Sequence, residues 1–124
     1  MSYLATYAKR NPPIRGHGLD ERLTLNLPGF HGGAYVRVFV EDTSEAKWRG
    51  TLPEPRIRLR IADCQNEIAL WFELGSAPER DNSLHKIETL LGALQRFRDA
   101  LWIEAHICER REWGRPRRGS KAAV

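Results

Sequence analysis

Three arginines and three aromatic residues, most of them at alternate positions, hold most of this chain's capacity for recognition chemistry. Arg37 lies between Tyr35 and Phe39, Arg58 and Arg60 stand two apart, and Trp71 follows in a second apolar run. In an extended segment, side chains two apart share a face. A hairpin would therefore set Arg58, Arg60 and Trp71 beside Tyr35, Arg37 and Phe39. Aromatic rings stack on bases at roughly 1–3 kcal/mol each while guanidinium groups meet phosphates, which is how sequence-tolerant single-strand binding works. The same surface suits a protein partner. It is also compatible with an ordinary exposed face, in which Arg58 or Arg60 pairs with Glu73 and stacks on Trp71.

Other constellations carry less. His106 and Cys108 are two apart, which on a helix points them about 200° from each other, and His17, His31, His85 and Cys64 are scattered. No metal or other cofactor is expected, and Cys108 reads as a small buried hydrophobe. Gly16 and Gly18, and the glycines at 29, 32 and 33, do not follow a strand and open a helix with phosphate-loop spacing. Asp20 with Glu21 and Glu41 with Asp42 could hold Mg²⁺ at strand ends, though such carboxylates are mostly solvated. No nucleophile elbow is present. The expectation is no catalytic residue and no enzyme, the remaining enzymatic option being a pocket of loops 28–33 and 42–55 with His31, Asp42 and Trp48.

Charge narrows the partners. Residues 109–124 hold six basic side chains, Arg110, Arg111, Arg115, Arg117, Arg118 and Lys121, against Glu109 and Glu112. Their net +4 equals that of the whole chain, so 14 basic and 14 acidic residues balance over positions 1–108. The excess belongs to a tail rich in Gly, Pro and Arg that reads as disordered, and the folded part makes no claim to a polyanion by charge alone. With 124 residues, 41% hydrophobic and 29% charged, one domain with one core is expected. Apolar runs fall short of the roughly 18–20 residues that span a bilayer, and the first ten residues lack a signal-peptide apolar region, so a cytoplasmic protein is expected, with two cysteines fitting a reducing compartment.

The positioning elements follow from periodicity. Residues 1–20 read as an irregular arm, 21–112 as a single α+β domain and 113–124 as the basic tail. Four antiparallel strands are expected: 22–27, stopped by Pro28 and Gly29; 34–41, apolar on both faces and so central; 56–62; and 68–74, the last two joined through a turn at 63–67. A polar loop occupies 42–55. Ser76, Pro78 and Glu79 form a capping-box arrangement that opens one long C-terminal helix reaching about Glu112. Leu84, Ile87, Leu90, Leu91, Leu94, Phe97, Leu101, Trp102, Ala105 and Cys108 fall on one broad stripe, expected to pack on one face of the four-stranded sheet.

A helix of about 36 residues is about 54 Å long, against about 23 Å for a seven-residue strand, so part of it must overhang. Ile103 and Ile107 lie opposite the main stripe, and Gly92 on that side would let another backbone approach. A homodimer through Gly92, Ile103 and Ile107 is expected, the alternative being that the N-terminal arm covers them.

Residues 63–68 and 82–91, followed by Phe97, Arg98, Ala100 and Leu101, resemble small uncharacterised proteins of actinobacterial phages and prophages, over about residues 56–105. That resemblance carries no site residue across and implies a small accessory protein that binds a macromolecule. Four strands and a helix are also similar in architecture to single-stranded-DNA-binding coactivators of the positive-cofactor type, which pair through their helices. The resulting expectation is a non-catalytic module that binds a protein partner, with single-stranded nucleic acid on the Arg and aromatic face as the alternative.

Overall fold

Alternation at a period of two builds the sheet. In the computed structural model, which describes residues 16–47 and 49–114, strands β1 (Leu19–Thr24), β2 (Tyr35–Val40), β3 (Ile57–Asp63) and β4 (Asn66–Leu70) form one antiparallel sheet in the order β1-β2-β3-β4. Val38 on β2 lies opposite Glu21 on β1 and Leu59 on β3, and Leu59 in turn lies opposite Leu70 on β4. One face therefore carries Leu19, Leu23, Val36, Val38, Val40, Ile57, Leu59, Ile61, Ile68 and Leu70, interrupted by Glu21.

Two strands differ from expectation. β1 starts at Leu19, inside the expected arm, because β2 extends to Val40 and offers Leu19 an apolar partner there. Its far end gives way to a turn: Pro28 and Gly29 occupy the central positions, Gly29 has a φ of +97°, and the Phe30 N–H donates to the Leu27 carbonyl at 3.1 Å. β4 begins two residues earlier than expected and ends at Leu70, because Cys64 and Gln65 alone make the hairpin turn. Beyond it the chain leaves the ladder, and its carbonyls find other donors. Arg80 donates to the Leu74 carbonyl at 3.1 Å and the Ser83 hydroxyl to the Glu73 carbonyl at 2.7 Å.

Helix α1 (Ala77–Trp113) has 37 residues. Ser76 caps it: its hydroxyl accepts the Glu79 N–H at 3.3 Å and donates to the Glu79 carboxylate at 2.8 Å, while the Arg80 N–H reaches the Ser76 carbonyl at 2.9 Å. Arg110 and Arg111 lie in its last turn, where cations complement the helix dipole, and are helical instead of belonging to a tail. Arg115, Arg117, Arg118 and Lys121 lie outside the described residues, as does most of the expected arm.

The chain divides into two compact units between His85 and Lys86. The first holds the sheet and the capped first turns of α1; the second holds the rest of the helix. Within the described residues the only apolar residues that are buried are Ala34 and Ala62. Of the stripe expected to be buried, Leu84, Ile87 and Leu90 are half-buried, whereas Leu91, Leu94, Phe97, Leu101 and Trp102 are 48–77% exposed.

Candidate functional site

The face of the sheet opposite the apolar one carries the expected binding residues, and pairing register brings them together. Arg22, Arg37 and Arg60 are directly opposite one another across β1, β2 and β3, so their Cα atoms stand about 4.5–5.5 Å apart in steps along one row. Thr24, Tyr35 and Ala62 form the next row on one side; Asp20, Phe39 and Arg58 form the row on the other. Like charges opposite one another are destabilising unless compensated. Compensation is present and specific. Asp20 approaches Arg37 at 3.8 Å, Glu67 approaches Arg60 at 3.5 Å, and the Arg22 guanidinium lies 4.1 Å above the centre of the Tyr35 ring.

Glu67 also accepts the Tyr35 hydroxyl. That hydrogen bond, with some desolvation, raises the phenol above its ordinary value of 10.0. Among the described residues Arg58 has no carboxylate partner. With Arg56, Arg60, Trp71 and Glu73 it lines a cleft of about 330 Å³. The expected pairing of Arg58 or Arg60 with Glu73 is replaced by Arg60 with Glu67, because the two-residue turn brings Glu67 opposite Ala62, next to Arg60.

Compared with known proteins, the chain matches no family model, no curated protein and no solved structure. Its functional reading rests on its own residues.

The acidic pairs and the β1–β2 and β2–β3 loops are arranged as follows. Asp20 and Glu21 are neighbours on a strand and point to opposite faces, so they cannot share a Mg²⁺ ion. Glu41 instead holds Arg56 at 3.3 Å. Asp42 accepts the N–H of Ser44 at 2.8 Å and of Gly16 at 3.0 Å and lies 3.9 Å from His17. Those bonds, Ser44 foremost, hold its carboxyl below the ordinary range. Of the residues in the remaining enzymatic option, His31 and Asp42 flank opposite ends of β2, six residues and about 20 Å long, and Trp48 lies outside the described residues.

On α1, Ile103 is 60% exposed, Ile107 is half-buried, and a side chain at Gly92 would meet only the Arg96 guanidinium. His106 and Cys108 share the helix two positions apart, and Cys108 is exposed instead of buried as expected.

Sequence reasoning missed two groupings. Arg22 joins the arginine row only once β1 has its register. At the end of the sheet where the β1–β2 loop meets the β3–β4 turn, His31, Asp63 and Cys64 come together, each exposed, with their candidate ligand atoms within 4.8 Å of one another. A separation of 33 positions between His31 and Cys64 leaves no local signal for that approach.

Proposed function

We propose that this chain is a non-catalytic protein-binding module that works by helix pairing, with α1 from Lys86 onward as its docking element. One observation carries the reading: Leu94, Phe97 and Leu101 are exposed and, with Ile87 and Leu90 before them, are spaced alternately three and four residues apart. That spacing is a heptad seam, which pairs with another helix by setting side chains into the holes of its neighbour. Trp102 and Leu91 widen the apolar band beside the seam. Burying each large side chain contributes roughly 1.5–3 kcal/mol before ordering is subtracted. The occupant we assign is the same seam on a second copy of the chain. The earlier expected interface at Gly92, Ile103 and Ile107 then lies outside the principal contact.

Sedimentation equilibrium tests this. The intact chain is expected to be a dimer at tens of micromolar, and Phe97→Glu, which places a charge in the seam, is expected to raise the dissociation constant by at least about a hundredfold, the effect of about 2.7 kcal/mol. A wild-type chain that stays monomeric, or a variant that dimerises equally, refutes the assignment.

A second reading is supported by the row of Arg22, Arg37 and Arg60: single-stranded nucleic acid on the opposite sheet face, with Phe39 and Trp71 as stacking platforms. It requires that a chain lacking residues 114–124 still bind a mixed oligonucleotide at low salt and lose that binding on Arg58→Ala with Trp71→Ala. The resemblance of residues 56–105 to small phage proteins fits either binding role.

A further inference from the structure

We infer that His31, Asp63 and Cys64 form a binding site for one thiophilic divalent cation of the zinc type. Imidazole nitrogen, thiolate sulfur and carboxylate oxygen are the three donor types that zinc takes from proteins, and a thiolate in the set disfavours the hard cations Mg²⁺ and Ca²⁺. The distance supports this. Zinc–sulfur and zinc–nitrogen bonds of about 2.3 and 2.0–2.1 Å at a tetrahedral angle set the two donor atoms about 3.6 Å apart. Cys64 Sγ and His31 Nε2 are 3.5 Å apart. Asp63 needs only a side-chain rotation to close the third edge, since all three donor atoms already lie within 4.8 Å and the carboxylate is exposed.

Before an ion binds, the His31 loop is anchored by two hydrogen bonds. The Asn26 side chain donates to the His31 carbonyl at 2.9 Å, and the Gly33 N–H donates to His31 Nδ1 at 3.2 Å, orienting the ring with Nε2 toward sulfur. A side chain at Gly33 would stand 3.3 Å from that ring and 3.4 Å from the Cys64 backbone, so the two turns approach closely at this glycine. Cys64 occupies a left-handed conformation, φ +56°, at a turn position where glycine is the least strained residue. When the ion binds, the thiol loses its proton to solvent, the imidazole carries its proton on Nδ1 in place of Nε2, and the Gly33 N–H gives up its bond. Three protein donors leave a fourth position open to water.

Cobalt(II) chloride titrated into the full-length chain is the test, with zinc chloride as competitor. One equivalent is expected to bring up a sulfur-to-cobalt charge-transfer band with tetrahedral d–d bands, and zinc is expected to abolish both. His31→Ala and Cys64→Gly, the latter suited to the left-handed turn, are expected to remove the spectrum, whereas Cys108→Ser and His106→Ala leave it intact. Asp63→Asn is expected to keep the sulfur band and weaken affinity at least about tenfold, within the range for losing one ligand or its support. No sulfur band in the wild-type chain, or a band that survives Cys64→Gly and vanishes in Cys108→Ser, overturns the site.

Discussion

Ser83→Ala probes the junction on which the first turns of α1 depend. Ser83 is 5% exposed, and its hydroxyl donates to the Glu73 carbonyl at 2.7 Å, just where the chain has left β4 and lost its ladder partner. Alanine fits the space without strain and is the better helix former, so packing and propensity change little. What is lost is a net hydrogen bond of about 0.5–1.5 kcal/mol, plus part of the roughly 1–3 kcal/mol for a carbonyl left without a donor. Because Glu73 is itself exposed, water recovers some of that second contribution. The expected destabilisation is about 1–2 kcal/mol. At about 3–6 °C per kcal/mol for a chain of this size, Tm falls by about 3–12 °C. Thermal unfolding followed by circular dichroism measures it, with the exposed neighbour substitution Asn82→Ala as the control for helix propensity. Equal melting of Ser83→Ala and Asn82→Ala would refute the anchoring role.

Three further outcomes follow from individual residues. Ser76→Ala removes the N-cap acceptor of the Glu79 N–H and is expected to lower stability by about 1 kcal/mol in the same melting assay, while Ser76→Asp restores most of it. The Tyr35 phenol, raised by its hydrogen bond to Glu67, is expected to ionise above pH 10.0 in an ultraviolet titration and to move back toward that value in Glu67→Gln. Its contribution to stability is fully present below pH 10.0 and is lost as pH rises through the folded value. Asp42 runs the other way: its lowered pKa stabilises the fold above the ordinary value of 3.8 and that stability is lost as pH falls through the folded value. Acid unfolding of Asp42→Asn is therefore expected to lack this component, and an unchanged acid midpoint would contradict it.

Elements whose signals are local were legible in the sequence. Valines at 36, 38 and 40 and aliphatic residues at 57, 59 and 61 announce strands by alternation, and Ser76 with Glu79 marks the helix start to the residue. Features that depend on a partner were not. Leu19 becomes strand only because Val40 faces it, and β4 stops at Leu70 because Glu73 and Leu74 turn their carbonyls to Ser83 and Arg80. Arg22 stacks on Tyr35 through a register that alternation alone does not set. His31 meets Cys64 across 33 positions, beside a glycine whose place between them appears only when two turns are seen side by side. The apolar stripe of α1 was legible as a stripe, but periodicity cannot tell whether the chain itself or another molecule covers it. Phe97 and Trp102 are exposed among the described residues, and the pairing experiment addresses what covers them.

The most direct measurement of helix pairing compares thiol alkylation at Leu94→Cys, in the seam, with Asp99→Cys, which falls on the outward position of the same heptad, both in a chain carrying Cys64→Ser and Cys108→Ser. At concentrations that favour dimer, Leu94→Cys is expected to react at least about tenfold more slowly, and the two rates are expected to converge on dilution, because a buried thiol reacts only when its partner leaves. Equal rates at every concentration would contradict the pairing.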